Sequence, residues 1–266
     1  SYAAYAQGTY DLGGFTEALD GLRLTLGYRY TTDKVDGFSQ FYKFNGAGYT
    51  CTATGLVVAD PADCRFEEKS KNSQPTWTAG LDYKLQPDLL VYGKVSKGYK
   101  AGGFNTYAVR PETRTFGPEK VVSYEAGMKS DFTVQEMPLR LNLTVFQTDY
   151  DSIQRAAGDA REIAPGSFVS GAQILSTAKA RIRGIEIESV IKPIPPLELG
   201  VNYSHLDSKY TKYEYDVPAG AVLVGDCDGN SFISGATANL KCLPLQYISP
   251  NIVNVYGRYN FTPDVS

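Results

Sequence analysis

Strict alternation of apolar and polar residues is the dominant pattern along this chain. Between residues 22 and 31, leucine and tyrosine occupy every even position, while arginine, threonine and glycine occupy the odd ones. The same period of two runs through 77–85, 139–145 and 197–204. Because successive side chains of a β-strand point to opposite faces, each segment is predicted to be a strand with one apolar and one polar face.

Weaker alternation marks five further segments and brings the predicted number of strands to about nine. No helical period persists for longer than a turn or two. The predicted fold class is therefore all-β. The five additional segments are 2–11, 89–97, 121–132, 180–191 and 252–261.

Short and long connections alternate between the predicted strands. The short ones contain proline, as at 86–88 and 192–196 and in the final turn at 262–264, and proline suits turns because it cannot pair in a ladder. Long loops are rare in compact soluble domains, whereas outer-membrane barrels have short periplasmic turns and long outer loops. Extracellular loops are therefore predicted near 35–75, 100–118, 151–177 and 211–249.

An antiparallel up-and-down transmembrane β-barrel accounts for these features together. No apolar run reaches the roughly 18 to 20 residues of a membrane-spanning helix, but a barrel strand needs only about 9 to 11 alternating residues. The chain has 20 Tyr, a residue enriched at membrane interfaces. A soluble β-sandwich or propeller would also alternate. The loop asymmetry and the charged second face disfavour that alternative.

The strand number indicates a piece of a larger barrel. Nine is odd, and single-chain bacterial barrels close with an even number of strands. The chain begins at Ser1 without an initiator methionine, which is typical of a processed or excised segment. At the strand spacing seen here, a 22-stranded barrel would need roughly 650 residues, and barrels of that size are plugged transporters.

Charge and cysteine content narrow the function classes. The net charge of −3 and the pI of about 5.3 disfavour a nucleic-acid partner. Cys51 and Cys64 lie in one predicted loop, and Cys227 and Cys242 lie in another, which favours two local disulfides and an oxidising compartment. The zinc alternative would require Cys-x-x-Cys spacing or nearby histidines, and the chain has one His. We predict neither a metal site nor a cofactor.

Charged residues on the polar faces are predicted to face an enclosed interior, because an Arg or Lys on the lipid side costs roughly 2 to 4 kcal/mol at mid-bilayer. They form either an ion-pair network that holds the wall or a polar translocation path. The network is favoured because cross-strand pairs are common. The residues are Arg29, Lys94, Glu125, Lys129, Arg140, Glu186 and Glu188.

Aromatic residues of the predicted loops are the candidates for ligand contact, since an exposed ring gains by meeting a partner. Packing of these rings against each other beneath a disulfide is the alternative. Asp226 and Asp228 resemble part of a calcium loop but lack a completing acidic residue. No set of nucleophile, base and orienting group is visible, so no enzyme is predicted. The aromatic candidates are Tyr42, Phe44, Tyr49, Phe104, Tyr107, Tyr213 and Tyr215.

Four segments resemble strand motifs of TonB-dependent receptors, in the order of that family. They are YGKVSKGYKAGGFN at 92–105, FGPEKVVSYEAGMKS at 116–130, FQTDYDSIQ at 146–154 and AKARIRGIEIE at 178–188. Each motif alone is weak, but the four together are specific and cover most of the chain. The resemblance identifies the chain as part of a TonB-dependent receptor barrel.

The resemblance implies a 22-stranded barrel in the outer membrane of a Gram-negative bacterium. It also implies active uptake of a scarce nutrient, with a ferric siderophore as the expected ligand. The implied partners are outer-membrane lipid, an N-terminal plug domain and the TonB complex, which pulls on a TonB box; neither plug nor box lies within these residues. The alternatives are a passive porin-type channel and uptake of a non-iron solute such as cobalamin or glycan.

Overall fold

Nine long strands form one open antiparallel sheet in the computed structural model, which describes residues 1–218, 220–233 and 235–261. Each strand of this sheet pairs with its neighbours along the chain, so the all-β up-and-down prediction is confirmed. The predicted turn at 262–264 lies outside the described residues. The strands are β1 (Tyr2–Asp11), β2 (Leu22–Gln40), β3 (Arg65–Gln86), β4 (Leu89–Lys100), β5 (Glu119–Val134), β6 (Met137–Ala164), β7 (Ser167–Ile194), β8 (Leu197–Lys212) and β9 (Asn251–Tyr259).

The strand register carries one apolar face across the sheet. Leu24 lies opposite Tyr10 and Leu81, and Val145 lies opposite Ala126 and Ile185. Directly opposite residues share a face, so the leucine positions of separate strands join into one surface. Its side chains are exposed, with Leu26 at 53% and Ile185 at 43%. A single sheet with an uncovered apolar face fits a wall against lipid, and it excludes the two-layer sandwich considered above.

Two of the predicted loops are much shorter than expected because the strands continue into them. Residues 35–40 of β2 remain paired with 65–70 of β3, which corrects the predicted loop 35–75. Strands β6 and β7 pair as far as Ala164 and Ser167, so most of the predicted loop 151–177 is a hairpin. Beyond the bilayer neither face has to be apolar. The alternation that marks a strand therefore disappears while the backbone ladder continues.

The remaining connections contain small elements. Short strands pair within the connections at Tyr42–Phe44, Tyr49–Cys51 and Val57–Val58, at Gly103–Phe104 with Thr115–Phe116, at Glu214–Asp216 with Thr237–Asn239, and at Val222–Leu223 with Phe232–Ile233. Single 3-10 turns occur at Leu12–Gly14, Glu17–Leu19, Pro61–Cys64 and Pro111–Thr113. Within the described ranges, no helix has the length and apolar character needed to cross a membrane.

Both predicted disulfides are present, Cys51–Cys64 and Cys227–Cys242. Cys51 and Cys64 are 2% and 1% exposed, so the first bridge lies in the interior of the folded connection 41–64. It joins the strand Tyr49–Cys51 to the 3-10 turn that precedes β3. The bridge therefore ties the connection 41–64 to the start of β3, where β3 pairs with the end of β2.

Removing the first bridge is expected to loosen this connection alone. Replacing Cys51 and Cys64 with serine removes a cross-link across 13 residues, a change that costs about 3 kcal/mol in the chain-entropy account. Hydrogen exchange of the amides in Tyr49–Cys51 will then accelerate. The matched variant, with Cys227 and Cys242 changed to serine, will leave these amides protected. Equal protection in both variants would contradict the prediction.

Candidate functional site

The seven charged residues predicted to face the interior all lie on the polar face of the sheet. Glu125 is directly opposite Lys94, Asn142 is opposite Glu188, and Thr144 is opposite Glu186. Arg29, Lys129 and Arg140 have the same strand phase as these residues. The wall therefore has one charged face and one apolar face.

Ion pairs connect the charged residues across neighbouring strands. Lys94 Nζ lies 3.2 Å from Glu125 Oε2, and Arg140 Nε lies 2.7 Å from Asp131 Oδ1. A third pair joins Arg23 to Asp82 at 2.5 Å. The alternation in 22–31 places Arg23 on the same polar face as Arg29, although Arg23 is not among the seven candidates. Paired charges hold the wall and reduce its net field, which supports the ion-pair network over an unpaired charged path.

Three further side chains of this face, those of Glu188, Arg29 and Lys129, form no ion pair with any residue that the structure describes. Asn142 Nδ2 donates to Glu188 Oε2 at 3.2 Å, and Arg29 Nε donates to Thr31 Oγ1 at 3.0 Å. The ammonium of Lys129 lies 5.9 Å from the centre of the Tyr92 ring, within the range of a cation–π contact. Polar atoms on this face thus remain available to a solute or to another part of the protein.

Two of the outer connections pack against the extended β6–β7 hairpin. Arg161 donates to the Thr54 carbonyl at 3.1 Å, and the side chains of Ile163 and Val169 lie close to Gly55, whose φ of 70° favours glycine. Ala172 N donates to the Tyr107 carbonyl at 3.0 Å. These contacts bring the connections 41–64 and 101–118 together on one hairpin, which the sequence did not predict.

Asp159 is the main anchor of the connection 101–118. Its side chain is 0% exposed and lies 2.5 Å from Arg110 Nε. It also accepts hydrogen bonds from the Val109 and Arg110 amides, at 2.9 and 3.3 Å, and from Thr113 Oγ1, at 2.6 Å. Burial acts to raise the pKa of this carboxyl, but the hydrogen bonds from Thr113 and Arg110 outweigh it and hold the pKa below its ordinary value.

Leu245 and Ile248 pack the C-terminal part of the connection between β8 and β9 above the polar face of β7 and β8. Leu245 joins a buried cluster with Ile153, Ala178, Ala180 and Tyr210. Ala180 lies opposite Tyr210, in phase with Gly184 and Glu186. The connection therefore covers the outer end of the same face that carries the charged wall.

Only some of the seven aromatic candidates are available to a ligand. Tyr42 and Phe44 are 46% and 61% exposed and cluster around Tyr49, with ring centres 5.2 and 5.4 Å away. Tyr107 is 55% exposed and stacks on Phe41 at 4.3 Å. Rings held by their neighbours lose little conformational freedom on binding.

The other candidates serve mainly in packing. Phe104 lies against Gly37, and Tyr213 packs on Tyr210 at 4.8 Å. Burial raises the pKa of Tyr213 and of Tyr215 above the ordinary value. For these residues the structure favours the self-packing alternative.

Tyr247 is an exposed aromatic residue that sequence reasoning missed. Its side chain is fully exposed, and its φ of 64° lies in the left-handed region, which is unfavourable for a bulky residue and here occurs in a turn. Leu245 and Ile248 on either side pack into the buried cluster. The segment is therefore anchored while the Tyr247 ring projects from it. No sequence signal marks this conformation.

Asp226 and Asp228 are hydrogen-bonded within their own loop. Asp226 Oδ1 accepts the amides of Asp228 and Asn230 at 2.9 and 2.8 Å, and the Asn239 side chain donates to the Asp228 carboxylate at 3.0 Å. Both carboxylates therefore serve as acceptors that fold this loop. No cluster of three potential ligands occurs within the described part of the chain.

Comparison with known families agrees with this architecture. The family model described as "TonB dependent receptor-like, beta-barrel" matches residues 1–265. Among curated proteins, the pesticin receptors of Yersinia enterocolitica and Yersinia pestis are 26% and 27% identical over 145 residues. The match covers 54% of this chain and 20% of each receptor, so the chain spans only part of the length of these relatives.

Solved structures show the same fold. The ferric yersiniabactin uptake receptor FyuA from Yersinia pestis is 22% identical with a TM-score of 0.54, covering 79% of this chain and 27% of that one. The ferric-catecholate import receptor Fiu from E. coli K12 is 18% identical with a TM-score of 0.56, covering 98% and 32%. These relatives are uptake receptors rather than enzymes. The chain belongs to the TonB-dependent receptor β-barrel family, whose members are outer-membrane proteins of Gram-negative bacteria.

Proposed function

We propose that this chain provides wall strands and outer loops of a TonB-dependent transporter that takes up a ferric siderophore. The observation that carries the proposal is the family match over residues 1–265. The names of FyuA and Fiu, both iron-chelate receptors, favour this class of ligand. Active transport also requires a plug domain and the TonB complex, which the family supplies as expected partners.

The charged face of the sheet and the exposed loop rings would have different roles in this transporter. The charged face, with its ion pairs Lys94–Glu125 and Arg140–Asp131, would line the barrel interior and contact the plug. The exposed rings of Tyr42, Phe44 and Tyr107 would meet the ligand first, in loops outside the membrane. Aromatic residues provide large contact area for planar chelates at low entropic cost.

Uptake of 55Fe tests the transport proposal. A strain that lacks the complete gene should lose uptake of one member of a panel of 55Fe-loaded siderophores, including catecholates and yersiniabactin. A protonophore should abolish the uptake in the complemented strain, because transport by this family depends on the proton-motive force. Protonophore-resistant uptake would indicate a passive channel instead. Unchanged 55Fe uptake of every chelate in the deletion strain would favour a non-iron solute such as cobalamin or a glycan.

Loss of two exposed rings is expected to weaken ligand binding. Changing Tyr42 and Phe44 together to alanine should lower the affinity of the transported chelate about tenfold, since each aromatic contact contributes about 0.5–1.5 kcal/mol. Phe15, 72% exposed beside Tyr10 at the opposite end of the wall, provides the matched Phe15→Ala control. Whole-cell binding of the 55Fe-chelate at low temperature measures both. Equal affinities in the two variants would remove these rings from the ligand site.

A further inference from the structure

Asn45 and Gly46 lie at the tip of the turn between the short strands Tyr42–Phe44 and Tyr49–Cys51. They form the single Asn-Gly step among the ten asparagines of the chain. Both residues are exposed. Gly46 has a φ of 89°, and apart from its chain neighbours a Cβ built on it would meet no described heavy atom within 4 Å. The tip is therefore open to water on the side of the glycine.

The Asn45 side chain is turned toward the backbone that follows it. Its Oδ1 accepts hydrogen bonds from the Ala47 and Gly48 amides at 3.1 and 3.0 Å, and its Nδ2 donates to Thr50 Oγ1 at 3.0 Å. Because Oδ1 reaches past Gly46 to the next two amides, the side-chain carbonyl carbon lies on the same side as the Gly46 nitrogen. Within the residues that the structure describes, the Gly46 N–H donates to no acceptor. The nitrogen is thus close to a carbonyl carbon and free of a hydrogen bond.

These groups are the reactants of an intramolecular reaction of asparagine. The Gly46 nitrogen attacks Asn45 Cγ and loses its proton to water, Nδ2 leaves as ammonia, and a five-membered succinimide ring forms. Water then opens the ring at either carbonyl, which gives aspartate or isoaspartate at position 45. One water is consumed and one ammonia is released, without any oxidant or reductant. The Ala47 and Gly48 amides face the oxygen on which negative charge develops, and N–H donors so placed stabilise that charge.

The turn also fits the aspartate product. A carboxylate at position 45 would keep the hydrogen bonds from the Ala47 and Gly48 amides, and a charged acceptor makes such bonds stronger. The Thr50 hydroxyl, which now accepts from Nδ2, would rotate to donate to the carboxylate, because a hydroxyl can do both. Three donors would therefore surround the new charge, so the product state is stabilised by the same turn.

We propose that Asn45 is a site of spontaneous deamidation, which places a carboxylate in the connection 41–64. The new charge lies next to Phe44, in the cluster of rings formed by Tyr42, Phe44 and Tyr49. Molecules of different age therefore carry different charge at this cluster. The assignment rests on the geometry of the turn and does not depend on the transport proposal or on which solute is bound.

Peptide mass spectrometry of the complete natural protein in detergent tests this site. Incubation in mildly alkaline heavy-oxygen water should convert the peptide that contains Asn45 to a heavier product that carries the oxygen label, whereas conversion during later handling would carry none. Asn230 is the internal control, because it is also an exposed loop residue but is followed by serine. The Cβ of serine hinders the attacking nitrogen, so the Asn230 peptide should convert several-fold more slowly. Equal conversion of the two peptides would overturn the proposal.

A variant and the unfolded protein separate this site from general decay. The N45Q variant keeps a side-chain amide but would have to close a six-membered ring, so the labelled product should be lost. Wild-type protein that is unfolded and reduced in urea should convert no faster at Asn45 than the folded protein, because the folded turn holds the side chain beside the Gly46 nitrogen. Slower conversion in the folded protein would mean that the hydrogen bonds of the turn protect Asn45, and the proposal would fail. Methylation by an isoaspartyl methyltransferase gives a second measure of the product.

Discussion

Replacing Leu26 with arginine is expected to prevent stable insertion of the barrel, whereas the same substitution at Thr25 is expected to be tolerated. Leu26 is 53% exposed on the apolar face, between Gly8 and Ala79. It lies near the middle of the alternating part of β2, so an arginine there would face the centre of the bilayer. The expected cost is about 2 to 4 kcal/mol, a large fraction of the stability of an ordinary domain.

Thr25 provides the matched control because it is the adjacent residue on the other face. Its hydroxyl lies 2.9 Å from Thr9 Oγ1, so the Thr25→Arg change costs about one side-chain hydrogen bond, roughly 1 kcal/mol. Folding of the complete protein into lipid vesicles, followed by urea titration, measures both variants. If Thr25→Arg were the more damaging change, the assignment of the two faces would be reversed.

Replacing Asp159 with alanine is expected to release the connection 101–118 from the β6–β7 hairpin. The change removes the buried carboxylate partner of Arg110, which keeps only Glu112 at 3.6 Å, and leaves the Val109 and Arg110 amides without an acceptor. Breaking a buried ion pair by removing one partner costs about 3 to 5 kcal/mol. Hydrogen exchange at Val109 and Arg110 will report the release, together with protease cleavage within 101–118.

Asp151 is the matched control on the same strand. It pairs with Lys179 at 3.3 Å, and both side chains are about half exposed. Exposed pairs contribute at most about 1 kcal/mol, so Asp151→Ala is expected to leave the amide protection of 101–118 unchanged. Similar hydrogen exchange in 101–118 in both variants would mean that the contacts of Asp159 do not hold this connection.

The attachment of the connection 101–118 to the β6–β7 hairpin through Asp159 is also expected to depend on pH. Its pKa lies below the ordinary value because hydrogen bonds from Thr113 and Arg110 outweigh the effect of burial. A carboxyl with a depressed folded pKa contributes stability that is complete above its unfolded pKa of about 3.9 and is lost as the pH falls through the folded pKa. The connection should therefore remain docked at pH 5 to 7 and be released only in stronger acid.

The wall strands were predictable because the membrane imposes a local rule. Leu22, Leu24 and Leu26 must meet lipid while Arg23 and Arg29 must not, and that demand repeats every two residues. The local disulfides were predictable for a similar reason, since Cys51 and Cys64 are close in sequence as well as in space. Charged residues such as Lys94 and Glu125 were assigned to one face by the same alternation.

The site above the membrane was less predictable. The hairpin 151–164 with 167–177 was read as a loop, because its faces carry no consistent apolar pattern once lipid no longer contacts them. Asp159 is an ordinary acidic residue in sequence, and its burial depends on Val109 and Thr113, about 50 residues away. The conformation of Tyr247 follows from how Leu245 and Ile248 are anchored.

The amino-acid sequence by itself determined that this chain forms about nine wall strands with one face for lipid and one for the interior. The reason is that each residue of a wall strand contacts either lipid or the interior, so its polarity is constrained at its own position. Only the tertiary structure decided which loop residues are held by other segments and which are exposed. Those roles depend on contacts between segments distant in sequence, such as Arg110 with Asp159 and Gly55 with Ile163, and no local period encodes them.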